Sequence, residues 1–136
     1  MITSEMKKNI TTREDIKELV DRFYEKVRID QSIGFLFNDI ARVNWEKHLP
    51  RMYDFWENIA FQTGSYIGNP MIVHADLHKK YPLSQKHFEQ WLQLFISTVD
   101  EYFEGERAEL VKKRAFSIAA VIQHNLMNKD PGLSVK

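Results

Sequence analysis

The sequence predicts an all-α protein in which four longer helices are joined by short connecting pieces. Apolar residues recur at the three- and four-residue spacing of a helix face through most of the chain. No segment of useful length alternates apolar and polar residues as a strand would, and neither an internal repeat nor a low-complexity block occurs. The length of 136 residues suits a single domain, 1–136, with flexible ends over about 1–11 and 129–136.

The first helix is predicted over about residues 13–29. Thr12 is a candidate N-cap and Asp15 follows it by three positions, which is the spacing of a helix start. The residues on its apolar face are Ile16, Leu19, Val20, Phe23, Tyr24 and Val27. After this helix Gly34 interrupts the pattern, and 35–37 is predicted to form a short aromatic corner rather than a strand.

A second helix is predicted to start near Asn44, and Pro50 inside its pattern should either kink it or mark its true first turn. Its stripe contains Trp45, His48, Leu49, Met52, Trp56, Ile59 and Ala60. Glycines and a proline make 63–70 an ordered loop, and a short helix follows over about 71–80 until Pro82 limits it.

Ser84 is predicted to cap a long helix that Gly105 ends, and the last helix runs over about 106–128. The face of the last helix contains Leu110, Val111, Arg114, Ala115, Ile118, Ala119, Ile122 and Leu126.

The composition excludes several functional classes. Lysine plus arginine and aspartate plus glutamate number 19 each, so no net field attracts nucleic acid or an anionic membrane. The absence of cysteine excludes disulfides, thiolate ligands and a nucleophilic thiol. Neither a signal-peptide stretch in the first fifteen residues nor eighteen consecutive apolar residues occurs, so we expect a soluble, cytoplasmic protein.

Familiar enzyme motifs are absent, since GxSxG, P-loop, GxGxxG and HExxH patterns do not occur. His74 and His78 have the i,i+4 spacing that lets two imidazoles share a metal, and Asp76 or Glu89 could complete a non-haem site. By spacing alone, the favoured explanation is that one or both histidines lie near a helix end and are stabilised by its partial negative charge.

Polar aromatic side chains lie on the apolar faces of three helices. Tyr24 is on the first helix, His48 shares the face of Met52 on the second, and Trp91 lies on the face of the long helix after Ser84. Each could be ordinary core, but a buried O–H or N–H normally requires a hydrogen-bond partner.

Several unusual motifs occur in a defined order: FY at the end of the first helix, the phenylalanine corner, WxxHLPxMxDFW, YxGNPMxxH, HFxxWLxLF and RAxxIA. In this order they resemble the truncated haemoglobins, specifically the third of their three groups, over roughly 16–122. The glycine pair that the other two groups place before the first long helix is missing here. The resemblance implies a two-over-two helical sandwich that encloses a haem.

The resemblance also implies roles for individual residues. His74 matches the proximal histidine, the metal ligand of haem b (iron protoporphyrin IX), and a neutral imidazole suits that position. On the other side of the iron, Tyr24, His48 and Trp91 match the positions that face the ligand. The remaining residues expected to contact the cofactor are Phe37, Met52, Trp56 and Phe95 in the pocket, with Arg51 and Tyr66 near a propionate.

The leading hypothesis is therefore a haem protein that binds dioxygen or another small diatomic ligand. The ligand-facing donors extend it to redox chemistry, either nitric oxide oxidation to nitrate or peroxide turnover, with an unidentified reductase as partner. Two alternatives stay open: a haem-free helical interaction module, and a non-haem metal site that uses His74 and His78.

Overall fold

The computed structural model describes residues 7–62 and 77–128. The helices are α1 (Arg13–Ile29), α2 (Trp45–Phe61), α3 (Gln85–Tyr102) and α4 (Glu106–Asn128), with a π-helical turn at Leu36–Ile40. Within the described ranges, β pairing is limited to an isolated bridge between Lys8 and Phe103. The predicted all-α class is thus confirmed.

The start of α1 is fixed by a capping box. The hydroxyl of Thr12 accepts a hydrogen bond from the amide of Asp15, and the carboxylate of Asp15 accepts one from the amide of Thr12. Burial by itself would raise the pKa of Asp15, but hydrogen bonds from Thr11, Lys8 and Thr12 hold that pKa below its ordinary value. The predicted bounds of this helix are confirmed because the stop and start signals are local.

The corner after α1 is tight. The side chain of Asp30 accepts hydrogen bonds from the amides of Ser32 and Ile33 at 2.8 and 3.0 Å. A Cβ on Gly34 would lie 2.9 Å from the backbone oxygens of Val27 and Arg28, so the chain can approach the end of α1 this closely only with glycine. The predicted phenylalanine corner is helical and leads into the π-helical turn.

Helix α2 begins where the sequence predicts. Asn44 is its N-cap, and the side chain of Asn44 accepts a hydrogen bond from the amide of Lys47 at 3.3 Å. Pro50 lies in the second turn, so the idea that it marks the first turn is wrong. Because proline has no amide hydrogen, the carbonyl of Glu46 receives no helical hydrogen bond from position 50. The predicted loop 63–70 lies outside the described residues.

Helix α3 has the predicted N-cap, Ser84, in a capping box with His87. It ends at Tyr102, so the prediction that Gly105 ends it is wrong. Phe103 already has extended backbone and pairs with Lys8. Gly105 instead leads into α4, with a φ of 115° that side-chain-bearing residues rarely adopt.

The last helix has the predicted bounds, but one residue of its predicted face is misplaced. Arg114 is exposed, whereas its neighbours Val111, Ala115 and Ala119 are buried. Of the predicted short helix over 71–80, the described residues 77–80 are helical.

The four helices form two layers of two. Helices α1 and α2 pack together in one layer and α3 and α4 in the other, while α1 lies on α3 and α2 lies on α4. This is the expected two-over-two arrangement. The largest completely buried side chains at its centre are Trp56, Phe23, Phe95, Ile10, Ile16 and Leu19.

The N-terminal segment anchors the start of α4. The side-chain oxygen of Asn9 accepts hydrogen bonds from the amides of Ile10, Arg107 and Ala108 at 2.9, 3.0 and 3.3 Å. It therefore caps a helix that begins almost a hundred residues later in the chain. The sequence predicts a flexible end over 1–11, whereas Ile10 is completely buried.

Replacing the cap should destabilise the fold measurably. We expect Asn9→Ala to lower the free energy of unfolding by about 1–2 kcal/mol, since two amides at the start of α4 lose their acceptor. Urea unfolding followed by circular dichroism measures this, and Asn9→Asp is the control because it keeps the acceptor and adds a charge that a helix N-terminus favours. Equal stability of the wild type and Asn9→Ala would contradict the capping role.

Candidate functional site

A pair of polar side chains, the buried Tyr24 and the half-buried His48, joins α1 to α2. Tyr24 is 5% exposed, and its hydroxyl lies 3.3 Å from Nε2 of His48. The two rings meet edge to face with their centroids 5.3 Å apart. Burial raises the pKa of Tyr24 far above its ordinary value. The hydroxyl therefore keeps its proton at physiological pH and can donate a hydrogen bond.

Two further rings enclose this pair. Trp45 lies 5.3 Å from Tyr24 and 5.6 Å from His48 between ring centroids. Phe37, in the π-helical turn, lies 6.0 Å from Tyr24 and stacks on Trp45 at 6.2 Å. We name Tyr24, Phe37, Trp45 and His48 the tyrosine cluster. Within it the Tyr24 hydroxyl is buried among aromatic rings, where an electrostatic interaction is stronger than in water.

A second aromatic group lies deeper in the fold. Trp56 of α2 stacks on Phe95 of α3 with centroids 4.5 Å apart, and Trp91 is almost parallel to Phe95 at 5.8 Å. Phe23 contacts Tyr24 at 4.8 Å and Trp91 at 5.5 Å, so it connects this stack to the tyrosine cluster. Trp56 and Phe95 are buried in the core, and Trp91 is half-buried.

One face of α2 is apolar but only half-buried, and it carries Met52, Phe55 and Ile59. A cavity of about 450 Å³ opens beside it, between α2 and α4. Its residues are Phe55, Asn58, Ile59, Gln62, Arg114, Ser117, Ile118, Val121 and Ile122. The walls are mainly aliphatic and aromatic, with polar groups among them, which is typical of a site for a small organic molecule.

The structure brings together some of the residues that the sequence predicts. Tyr24, His48 and Phe37 are in one cluster, and Trp56, Trp91 and Phe95 are in one stack. Met52 lies on the half-buried face of α2, and Arg51 is exposed on the same helix. The predicted residues His74 and Tyr66 lie outside the described residues.

Sequence reasoning missed three residues of this region. Phe23, Trp45 and Phe55 were read only as parts of motifs or of an apolar face. Trp45 carries a signal, because it precedes His48 by three positions and must share its helix face. Phe23 carries none beyond its apolar character, since its contacts depend on how α1 lies on α3.

His78 has a structural partner. Its Nδ1 accepts a hydrogen bond from the amide of Leu83 at 2.9 Å. A neutral ring that accepts at Nδ1 carries its proton on Nε2, so neither nitrogen offers a free lone pair to a metal. Across 7–62 and 77–128, no group of three histidine, cysteine or carboxylate residues could hold a metal ion. The hydrogen bond to Leu83 disfavours His78 as a metal ligand, while His74 and Asp76 of the non-haem hypothesis lie outside the described residues.

Comparison with known proteins defines the class. Residues 7–126 match the family described as bacterial-like globin. Because this match covers most of the sequence, the chain belongs to the bacterial-like globins. Membership of the globin family implies haem binding and a small diatomic ligand.

The particular group follows from individual proteins. The chain is 33% identical over 124 residues to the group 3 truncated hemoglobin ctb of Campylobacter jejuni, covering 89% of this chain and 95% of that protein. It is similar in structure to the group III truncated hemoglobin from Campylobacter jejuni, with a TM-score of 0.77 at the same identity and coverage. The chain is thus a truncated haemoglobin of group III, as its motifs predict.

The described residues fit a haem. The apolar walls of the cavity beside Phe55 and Ile59 and the half-buried face that carries Met52 suit a flat macrocycle. Tyr24 and His48 do not line that cavity; they carry hydrogen-bonding groups nearer the start of α2. Within the same ranges no helix has both the length and the apolar character needed to cross a membrane.

Proposed function

We propose that this protein holds dioxygen or another small diatomic ligand at the iron of haem b, with His74 as the axial ligand. The haem would supply an open coordination position for the ligand. The observation that carries the proposal is the buried, protonated hydroxyl of Tyr24 beside His48. Phe37 and Met52 would contact the macrocycle, while Arg51 and Tyr66 would lie near a propionate.

The geometry of the pair favours Tyr24 as the main donor. With its proton on Nε2, His48 donates to the oxygen of Tyr24, and the tyrosine hydrogen is then free to point at a ligand. Such a chain of hydrogen bonds strengthens each member in a medium of low polarity. Trp91, held parallel to Phe95, would add an indole N–H as the second donor.

A buried hydrogen-bond donor of this kind favours retention of bound dioxygen over its release for delivery. Dioxygen that accepts electron density becomes partly negative, and a hydroxyl in a dry pocket stabilises that charge. We further propose that the retained dioxygen reacts with nitric oxide. One dioxygen, one nitric oxide and one electron from a reductase give one nitrate ion, which balances atoms and charge.

Hemin titration tests the cofactor. The wild type should bind hemin stoichiometrically and give a Soret band, whereas His74→Ala should bind it weakly or with an altered ferrous spectrum, because the axial imidazole is lost. The control is His78→Ala, which removes the hydrogen bond to Leu83 but should leave the spectrum unchanged. A wild type that binds no hemin would reject the proposal and favour the helical interaction module.

The rate of dioxygen release tests the donor. Tyr24→Phe should raise the dissociation rate constant by roughly 10- to 150-fold, because a hydrogen bond to a charged group contributes about 1.5–3 kcal/mol. Stopped-flow displacement by carbon monoxide measures it. Tyr53→Phe is the matched control, since the Tyr53 hydroxyl donates to Asp21 outside the tyrosine cluster. An unchanged rate in Tyr24→Phe would remove this tyrosine from the site.

Mixing the oxygenated protein with nitric oxide tests turnover. We expect conversion to ferric protein with one nitrate per haem, at a rate that rises with nitric oxide concentration. The absorbance change in stopped flow and nitrate analysis measure it, with carbon monoxide-saturated protein as the unreactive control. Decay no faster than spontaneous oxidation would leave a ligand-binding protein without this activity.

A further inference from the structure

Trp45, at the start of α2, contacts each of the other rings of the tyrosine cluster. It meets His48 and Tyr24 edge to face or tilted, and it stacks on Phe37. Arg28 also lies over the Trp45 ring, with its guanidinium carbon 4.8 Å from the ring centroid. Trp45 thus contacts the Tyr24–His48 pair on one side and the exposed Arg28 on another.

Arg28 is held in place at its backbone. Its carbonyl oxygen accepts a hydrogen bond from Nδ2 of Asn38 at 3.0 Å, and Gly34 approaches the same carbonyl closely. Two residues later, Asp30 accepts a hydrogen bond from Gln90 of α3 at 2.6 Å. The backbone of Arg28 is therefore hydrogen-bonded to the π-helical turn, and the end of α1 at Asp30 is hydrogen-bonded to α3.

We infer that Trp45, clamped by Arg28, is a positioning residue that keeps the His48 ring against the Tyr24 hydroxyl. The inference rests on the proposed function, because it gives this hydroxyl its task. Trp45 precedes His48 by three positions on α2 and lies beside its ring, so it blocks rotation of the imidazole toward the surface. Arg28 in turn keeps Trp45 from moving outward through a cation–π contact.

The contact between Arg28 and Trp45 should control both the polarity beside a bound ligand and the access of a ligand to its site. While the His48 ring stays beside Tyr24, the Tyr24 hydroxyl keeps its hydrogen-bond partner and the imidazole fills the space between the two helices. When Trp45 is replaced by a smaller side chain, the His48 ring has room to rotate toward the surface. This rotation would open a route for ligands and leave Tyr24 without its partner. Ligand should then enter faster, and a ligand that accepts a hydrogen bond should leave faster.

The test uses carbon monoxide as the probe on haem-loaded protein. Its infrared stretching band reports the polarity next to the ligand, and flash photolysis gives the association rate constant. We expect Trp45→Leu to move intensity from the most polar band to a less polar one and to raise the association rate constant about 3- to 10-fold, the range that an aromatic contact supports. Trp45→Phe should restore most of the wild-type band.

Two controls separate positioning from general loosening. Arg28→Gln should shift the infrared band in the same direction as Trp45→Leu, but by less. Arg22 is also on α1 and makes a similar contact with Tyr102 of α3, so Arg22→Gln should leave the band unchanged. In a His48→Ala background, Trp45→Leu should have no further effect on the band, because its action passes through His48. An additive effect in that background would overturn the inference.

A readout on haem-free protein separates this inference from the proposed function. Nuclear magnetic resonance should show contacts between the ring hydrogens of His48 and Tyr24 in the wild type and their loss in Trp45→Leu. Normal hemin binding with unchanged bands, rates and ring contacts in Trp45→Leu would reject the positioning role alone. Failure of the wild type to bind hemin would reject the proposed function, while the ring contacts would still decide the inference.

Discussion

The fold and the site both depend on the way in which α1 directs two adjacent rings toward different helices. Phe23 and Tyr24 are about 100° apart around the helix axis. Phe23 meets Trp91 and Phe95 of α3, whereas Tyr24 meets His48 at the start of α2. One turn of α1 therefore sets the distance between the two helical layers and the position of the polar pair. Because these contacts share a rigid backbone, the donor cannot move without disturbing the core.

This constraint makes a buried hydroxyl tolerable. A phenol in apolar surroundings costs free energy if it has no partner, and the histidine of α2 supplies one. In the described part of the chain, no buried side-chain nitrogen or oxygen lacks a hydrogen bond. The tyrosine hydrogen is nevertheless not committed to the fold when His48 is the donor. With His48 as the donor, the pair is hydrogen-bonded without a ligand, and in the proposed function its hydroxyl would meet a ligand with little reorganisation.

The sequence could predict what local chemistry determines and missed what depends on distant contacts. Thr12, Asn44 and Ser84 cap their helices through residues three positions away, so the helix starts could be predicted from sequence alone. The role of Gly105 could not, because the cap of α4 comes from Asn9 and no local pattern connects them. For the site, periodicity placed the polar rings on inward faces, and the order of motifs connected them. Only the folded chain shows which rings of different helices touch, as Tyr24 and His48 or Trp56 and Phe95 do.

The arrangement also separates a residue that would meet a ligand directly from residues that act on it through their neighbours. Tyr24 is buried, and in the proposed function its hydroxyl is the group that meets the ligand. Arg28 is exposed, does not belong to the tyrosine cluster, and reaches that cluster only through Trp45. In the proposed function, a substitution at Arg28 acts on the Tyr24 hydroxyl only through Trp45 and His48, and it leaves the side chains of the core in place. In a small globin, whose every buried side chain also supports the fold, such an external contact is a position at which ligand rates can vary at little cost in stability.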